Sequence, residues 1–166
     1  MALNHPITQW QGRSVWLIGA SSGIGLATAK ALHAAGARIT VSARKTDLLD
    51  AFVASHSGSQ AIALDVCDTQ AVHAVTQQVA QSHGIDVVVY CSGYYKAVRA
   101  TKYSLGEMTY HQDVNYLGVA RVLDAVLPLL LSQKRGHISL IASVAGYSGL
   151  PNSLAYGPTK AAMINL

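Results

Sequence analysis

Residues 14–36, SVWLIGASSGIGLATAKALHAAG, read as a buried strand, a glycine-rich turn and a helix. SVWLIGA is apolar at strand length, Ile24, Ala27, Ala31 and Ala35 fall on one helical face, and Gly36 is placed to end the helix. The turn GASSGIG, Gly19 to Gly25, lies where strand hands over to helix. Glycines there let the backbone turn tightly and approach a pyrophosphate, whose charge is favoured by the N–H groups and positive dipole end of the helix. Taken alone, the same glycines also serve a plain strand-to-helix turn. A P-loop is excluded, because GIGLATAK lacks the terminal Gly-Lys-Ser/Thr.

Outward from this unit the alternation continues. ARITVSA (37–43) is a second strand, and TDLLDAFVASH (46–56) is helical with Thr46 or Asp47 as its cap. QAIALDV (60–66) returns to strand, Asp68 caps a helix carrying Val72, Val75 and Val79, and His83-Gly84 ends it. IDVVVYCSG (85–93) is apolar almost throughout, as in a strand buried on both faces. Ser104 and Glu107 have capping-box spacing and open a long helix to about Ser132; GHISLIAS (136–143) supplies a fifth strand. Strands alternating with helices imply right-handed crossovers and a parallel sheet. The expected fold is therefore α/β, a doubly wound Rossmann-type sheet with helices on both faces, binding its ligand beyond the strand C-termini.

The bulk composition agrees with one globular domain over 1–166. The 166 residues are 51% hydrophobic and 12% charged, enough for one sizeable core, with no linker or repeat to divide them. The net charge of +4 is scattered over the chain, which points to solvated surface rather than a nucleic-acid face. MALNHPITQW has neither the basic nor the apolar region of a signal peptide, and VARVLDAVLPLLL is interrupted by Arg121, Asp124 and Pro128, so no membrane span is expected. Cys67 and Cys91 lack CxxC spacing and suit a reduced, cytoplasmic compartment; the seven histidines lack HxxxH or HExxH spacing, so no metal site is expected.

The spacing Gly19-x-x-x-Gly23-x-Gly25 resembles the cofactor loop of the classical short-chain dehydrogenase/reductase family, unlike the GxxGxxG of its extended members. The resemblance runs from Gly12 to Leu166 through LDV, VNYLG, LP and the segment Ser143–Lys160. It implies strand order 3-2-1-4-5. It implies a dinucleotide held by Gly19, Ser21, Ser22, Gly23, Ile24, Gly25, Asp65, Val66, Ser92, Gly93, Tyr156 and Lys160, with Asp65 against the adenine.

After the second strand, NAD-specific sites place a carboxylate, whereas Ala43 is neutral and Arg44 can make charge-assisted bonds to a 2′-phosphate. NADP(H) is accordingly expected over NAD(H). An ordinary solvated Arg44-Lys45 pair is the other reading of the same residues.

Tyr156 and Lys160 stand at i and i+4, on one helix face, with Pro158 confining Tyr156 to the helix start. A phenol with an ordinary pKa of about 10 is a reluctant acid or base at neutral pH, and an ammonium within about 4–6 Å favours its phenolate. By resemblance Tyr156 is the proton donor and acceptor, and Lys160 also holds the nicotinamide ribose. Ser143, thirteen positions before Tyr156, orients the carbonyl, and Asn115 bends the long helix and passes protons by water to the lysine. One departure stands out: where the family reads Asn-Ala-Gly, the chain has Cys91-Ser92-Gly93, with Cys91 expected to be a buried filler.

The expected activity is reversible reduction of a ketone or aldehyde to an alcohol. A catalytically silent dinucleotide-binding protein of the same fold is the alternative. A SAM-dependent methyltransferase shares sheet and turn but gives no reason for Ser143, Tyr156 and Lys160 to stand where they do. The resemblance also implies a homo-oligomer, and two further strands with a mobile segment beyond this helix. With six residues after Lys160, the sequence is expected to be part of a longer polypeptide.

Overall fold

A computed structural model of the chain describes residues 6–166; the first five, part of the N-terminal stretch read above for a leader, lie outside the described residues. Five parallel strands, β1 (Ser14–Ile18), β2 (Arg38–Ala43), β3 (Gln60–Ala63), β4 (Val87–Tyr90) and β5 (His137–Leu140), pair in the order β3-β2-β1-β4-β5. The expected order is thus the observed one. The order reverses between β1 and β4, so the crevice for a ligand opens beyond the C-termini of these central strands.

Alternation along the central strands feeds two cores. Trp16, Ile18, Val88 and Tyr90 point to one face and pack with Val72, Val75 and Val79 of α3 (Thr69–Ser82) and Val119, Val122 and Val126 of α5 (Gly118–Ser132). Val15, Leu17, Val87 and Val89 point to the other and meet Ala29 of α1 (Gly23–Ala34) and Leu49 and Phe52 of α2 (Asp47–Ser55). Burial on both faces explains why these strands read as unbroken apolar runs.

Three local expectations change. The α1 face Ile24, Ala27, Ala31, Ala35 is exposed; α1 instead buries Gly25 and Ala29, because the glycine face alone lets the helix sit directly on the β1 turn. A Cβ on Gly25 would lie 2.5 Å from the Gly19 oxygen. Thr46 precedes α2 without a side-chain capping bond, whereas Asp68 caps α3 as expected by accepting from the Ala71 N–H at 3.0 Å. Ser104 caps α4 (Leu105–Gln112) through the Glu107 N–H, but the box is half-formed. Glu107 turns its carboxylate to the Tyr94 hydroxyl (3.0 Å) and the Lys96 ammonium, and charge-assisted partners outcompete a backbone N–H.

The long helix expected to Ser132 is present, but it carries a π turn at Asp113–Leu117 between α4 and α5, and Pro128 lies within α5 without ending it. Leu105–Ser132 is long and apolar enough in composition to cross a membrane. Here its apolar residues Val119, Val122, Val126 and Leu130 are spent on the sheet.

Candidate active site

A cleft of about 860 Å³ opens at the C-terminal ends of the strands. Its floor is the glycine turn. Gly19 has φ +88°, and a Cβ there would lie 2.6 Å from the Ser92 Cα, so only glycine lets the first and fourth strand ends approach. Gly23 (φ +55°) opens α1, and Ser22 before it is extended and makes no side-chain cap bond. The first N–H groups of a helix lack intrahelical partners, so this uncapped terminus facing the cleft suits an anion.

The same cleft is lined by Ser21, Ser22, Ile24, Arg44, Asp65, Val66, Ser92, Gly93, Ser143, Tyr156 and Lys160. Every residue named above for cofactor or chemistry thus borders it, except Asn115, which is wholly buried behind it. Asp65 accepts from the Cys67 N–H at 3.0 Å, an Asx turn that shapes the end of β3. Arg44 reaches over the rim and donates to the Tyr110 hydroxyl at 3.0 Å.

Tyr156 is the first residue of α6 (Tyr156–Asn165), with Pro158 in its first turn as the sequence required. Lys160, only 3% exposed, donates to the Ile141 carbonyl at 2.8 Å and lies 5.6 Å from the centroid of the Tyr156 ring. Burial pulls its ammonium below the ordinary lysine range, and the neighbouring Cys91 opposes that fall. Burial pushes the Cys91 thiol up to about 11, so thiolate is scarce at neutral pH; Cys91 is half-buried and borders the cleft rather than being the fully buried filler expected. Ser143 accepts from the Ala145 N–H at 3.2 Å, which leaves its hydroxyl proton for another acceptor. Gly146 brings this segment onto α6, for a Cβ there would stand 2.7 Å from the Lys160 carbonyl carbon.

Asn115 ties these pieces together. Its side chain accepts from the Tyr94 N–H (2.7 Å) and donates to the Tyr94 carbonyl (3.0 Å) and to Thr159 Oγ1 (3.1 Å). Thr159 in turn donates to the Tyr156 carbonyl at 2.7 Å. Tyr95, next to the clamped residue, sets its ring edge-to-face on Tyr156 at 5.3 Å. Buried His111 accepts from the Lys96 N–H through Nε2 (3.1 Å) and so donates from Nδ1 to the Glu107 carbonyl (2.6 Å). Tyr94, Tyr95, Tyr110, Thr159 and His111 were not singled out from sequence. The signal that could have found this wall is the aromatic and cationic density of YYKAVRATKY (94–103).

An α1 N-terminus on a glycine turn, at the switch point of a 3-2-1-4-5 sheet and facing a serine, a tyrosine and a lysine, defines a dinucleotide-type oxidoreductase site. The chain belongs to the short-chain dehydrogenase family, whose model matches residues 13–166. These oxidoreductases use nicotinamide dinucleotides.

It is 30% identical over 161 residues to an uncharacterized oxidoreductase of Staphylococcus haemolyticus, covering 95% of this chain and 70% of that one. A second uncharacterized oxidoreductase, from Staphylococcus epidermidis, is 35% identical over 147 residues, covering 87% of this chain and 64% of that protein. The crystal structure of a short-chain dehydrogenase from Streptomyces avermitilis superposes with a TM-score of 0.86 at 33% identity, over 92% of this chain and 58% of the other. The chain therefore spans about two thirds of the length of these curated relatives.

Proposed function

We propose that the protein is an NADP(H)-dependent oxidoreductase interconverting a ketone or aldehyde with an alcohol, its 166 residues serving as one nucleotide-binding domain. The observation that carries this is the convergence of the glycine turn with Ser143, Tyr156 and Lys160 on one cleft. The residues fit a nicotinamide dinucleotide: Gly19 and Gly25 leave no room for a Cβ where backbone must pass close, and α1 presents its uncapped N-terminus to the pyrophosphate. Bound there, the nicotinamide supplies or accepts the hydride.

Tyr156 gives its phenolic proton to the carbonyl oxygen during reduction and takes it back during oxidation. Ser143 donates to the same oxygen and holds it beside Tyr156. Lys160 supplies positive charge below the phenol and a donor to the ribose. Asn115 holds the start of α6 through Thr159 and serves the proton path to Lys160.

Arg44 and Lys45 at the rim, with neutral Ala43 before them, support a 2′-phosphate and hence NADP(H). NADPH is expected to bind more tightly than NADH, and Arg44→Ala to erase most of that gap while sparing NADH. One lost charged hydrogen bond of about 1.5–3 kcal/mol makes the effect roughly 10- to 150-fold. Fluorescence titration of both nucleotides checks it, and equal affinities in the unmutated protein would defeat the NADP(H) assignment.

A panel of ketones and aldehydes followed by NADPH absorbance tests the reaction itself. Tight nucleotide binding with no consumption on any carbonyl would favour the silent binding protein. The free thiols of Cys67 and Cys91 support a cytoplasmic setting, and exposed Leu127 and Leu131, one helical turn apart on α5, support a homo-oligomer.

A further inference from the structure

Tyr90 is a wholly buried side chain with a polar hydroxyl that the proposed chemistry does not use. It ends β4 where the chain departs from Asn-Ala-Gly, one position before Cys91, and it has no exposed surface. Its hydroxyl crosses to the long helix and donates to the Val114 carbonyl at 2.7 Å. That carbonyl is available for a specific reason. In a regular α-helix the Gly118 N–H would pair with the Val114 oxygen four residues back. Here it pairs with the Asp113 oxygen, five residues back, which is the π turn. The released Val114 oxygen is buried in the core and needs another donor, and Tyr90 is that donor.

Gly118 completes the fit. A Cβ on residue 118 would overlap the Tyr90 hydroxyl and stand 2.9 Å from Val66 Cγ2, so only glycine admits the phenol beside the turn. Burial also pushes the Tyr90 phenol far up, which keeps it protonated and able to donate. At the centre of the turn is Asn115, whose amide clamps Tyr94 on one side and Thr159 on the other.

We propose that Tyr90, lodged against Gly118, is a positioning residue for the active site: it holds the π turn that aims Asn115 at Tyr94 and Thr159. Through Tyr94 this sets the Ser92-Gly93 wall of the cleft and the Tyr95 ring on Tyr156. Through Thr159 it sets the first turn of α6, where Tyr156 begins. The role rests on the carbonyl-reductase reading above.

The test compares the unmutated protein with Tyr90→Phe, which keeps the ring and removes the donor, and with Val88→Ala. Val88 lies two residues earlier on the same buried face of β4, so its truncation damages the same core without touching the turn. Three readouts are taken: kcat and KM on a reactive carbonyl, the pH profile of alcohol oxidation, and exchange protection of the Asn115 side-chain amide by NMR. Tyr90→Phe is expected to lower kcat at least tenfold, to change KM less than kcat, to displace the pH limb of oxidation, and to deprotect the Asn115 amide. Val88→Ala is expected to lower Tm while leaving kcat within about twofold and the amide protected.

Wild-type kcat and pH profile in Tyr90→Phe would overturn the proposal, as would a Val88→Ala protein impaired to the same degree in all three readouts. Should the unmutated protein turn over no carbonyl, the reaction assignment falls separately. The Asn115 amide then decides on Tyr90 alone: retained protection in Tyr90→Phe overturns its role, and lost protection upholds it.

Discussion

Tyr156→Phe is expected to slow carbonyl reduction by at least about 10²–10⁴-fold, the range for a lost general acid, while NADPH affinity stays nearly intact. The substitution keeps the ring, so the edge-to-face contact with Tyr95 survives and the start of α6 stays in place. What disappears is the single transferable proton at the end of the cleft where Ser143 also points. In the oxidation direction the profile of rate against pH should lose the limb that reports the proton acceptor.

Ser143→Ala is the companion measurement. It removes a donor to the carbonyl oxygen but leaves the proton source, so turnover should fall while that limb remains. Stopped-flow or steady-state absorbance of NADPH separates the two. A Tyr156→Phe protein with near-normal turnover would remove Tyr156 from the chemistry and leave the dinucleotide-binding protein as the better reading.

Both features that decide the fold were legible because they depend on backbone more than on distant partners. The glycine turn is written as glycines since a Cβ at Gly19 or Gly25 has nowhere to go, and burial on both faces writes β4 as an unbroken apolar run. Spacing also carried Tyr156 and Lys160, because i and i+4 on a helix, with Pro158 at N3, fix their mutual placement before any tertiary contact forms.

The readings that failed ranked side chains by polarity alone. On α1 the alanines look apolar, but a helix that must touch the sheet backbone turns its smallest residue inward, and that is Gly25. At Glu107 the capping-box spacing was right and the partner wrong, because Lys96 and Tyr94 come from a loop whose course the local sequence does not encode. Asn115 is buried at a π turn whose Val114 carbonyl accepts from Tyr90, 24 residues before Val114, and no period in the helix announces that partner.

Lys160→Met carries the second large effect, and it distinguishes charge from packing. Methionine keeps an unbranched apolar stem in the buried slot, while the ammonium and its bonds to the Ile141 carbonyl (2.8 Å) and the Met163 sulfur (3.4 Å) are lost. The phenol itself stays in place, so the limb of the oxidation profile should be kept rather than vanish, opposite in kind to the result for Tyr156→Phe.

Loss of a charged donor to the ribose should weaken NADPH binding roughly 10- to 150-fold at the same time, the equivalent of about 1.5–3 kcal/mol. Turnover at saturating cofactor should still fall by about 10² or more, because electrostatic help at the proton donor acts in the transition state and added cofactor cannot restore it. The measurement is kcat at saturating NADPH together with the cofactor Kd and the pH profile, on the same preparation. A variant that loses affinity alone, with kcat unchanged, would reduce Lys160 to a cofactor ligand.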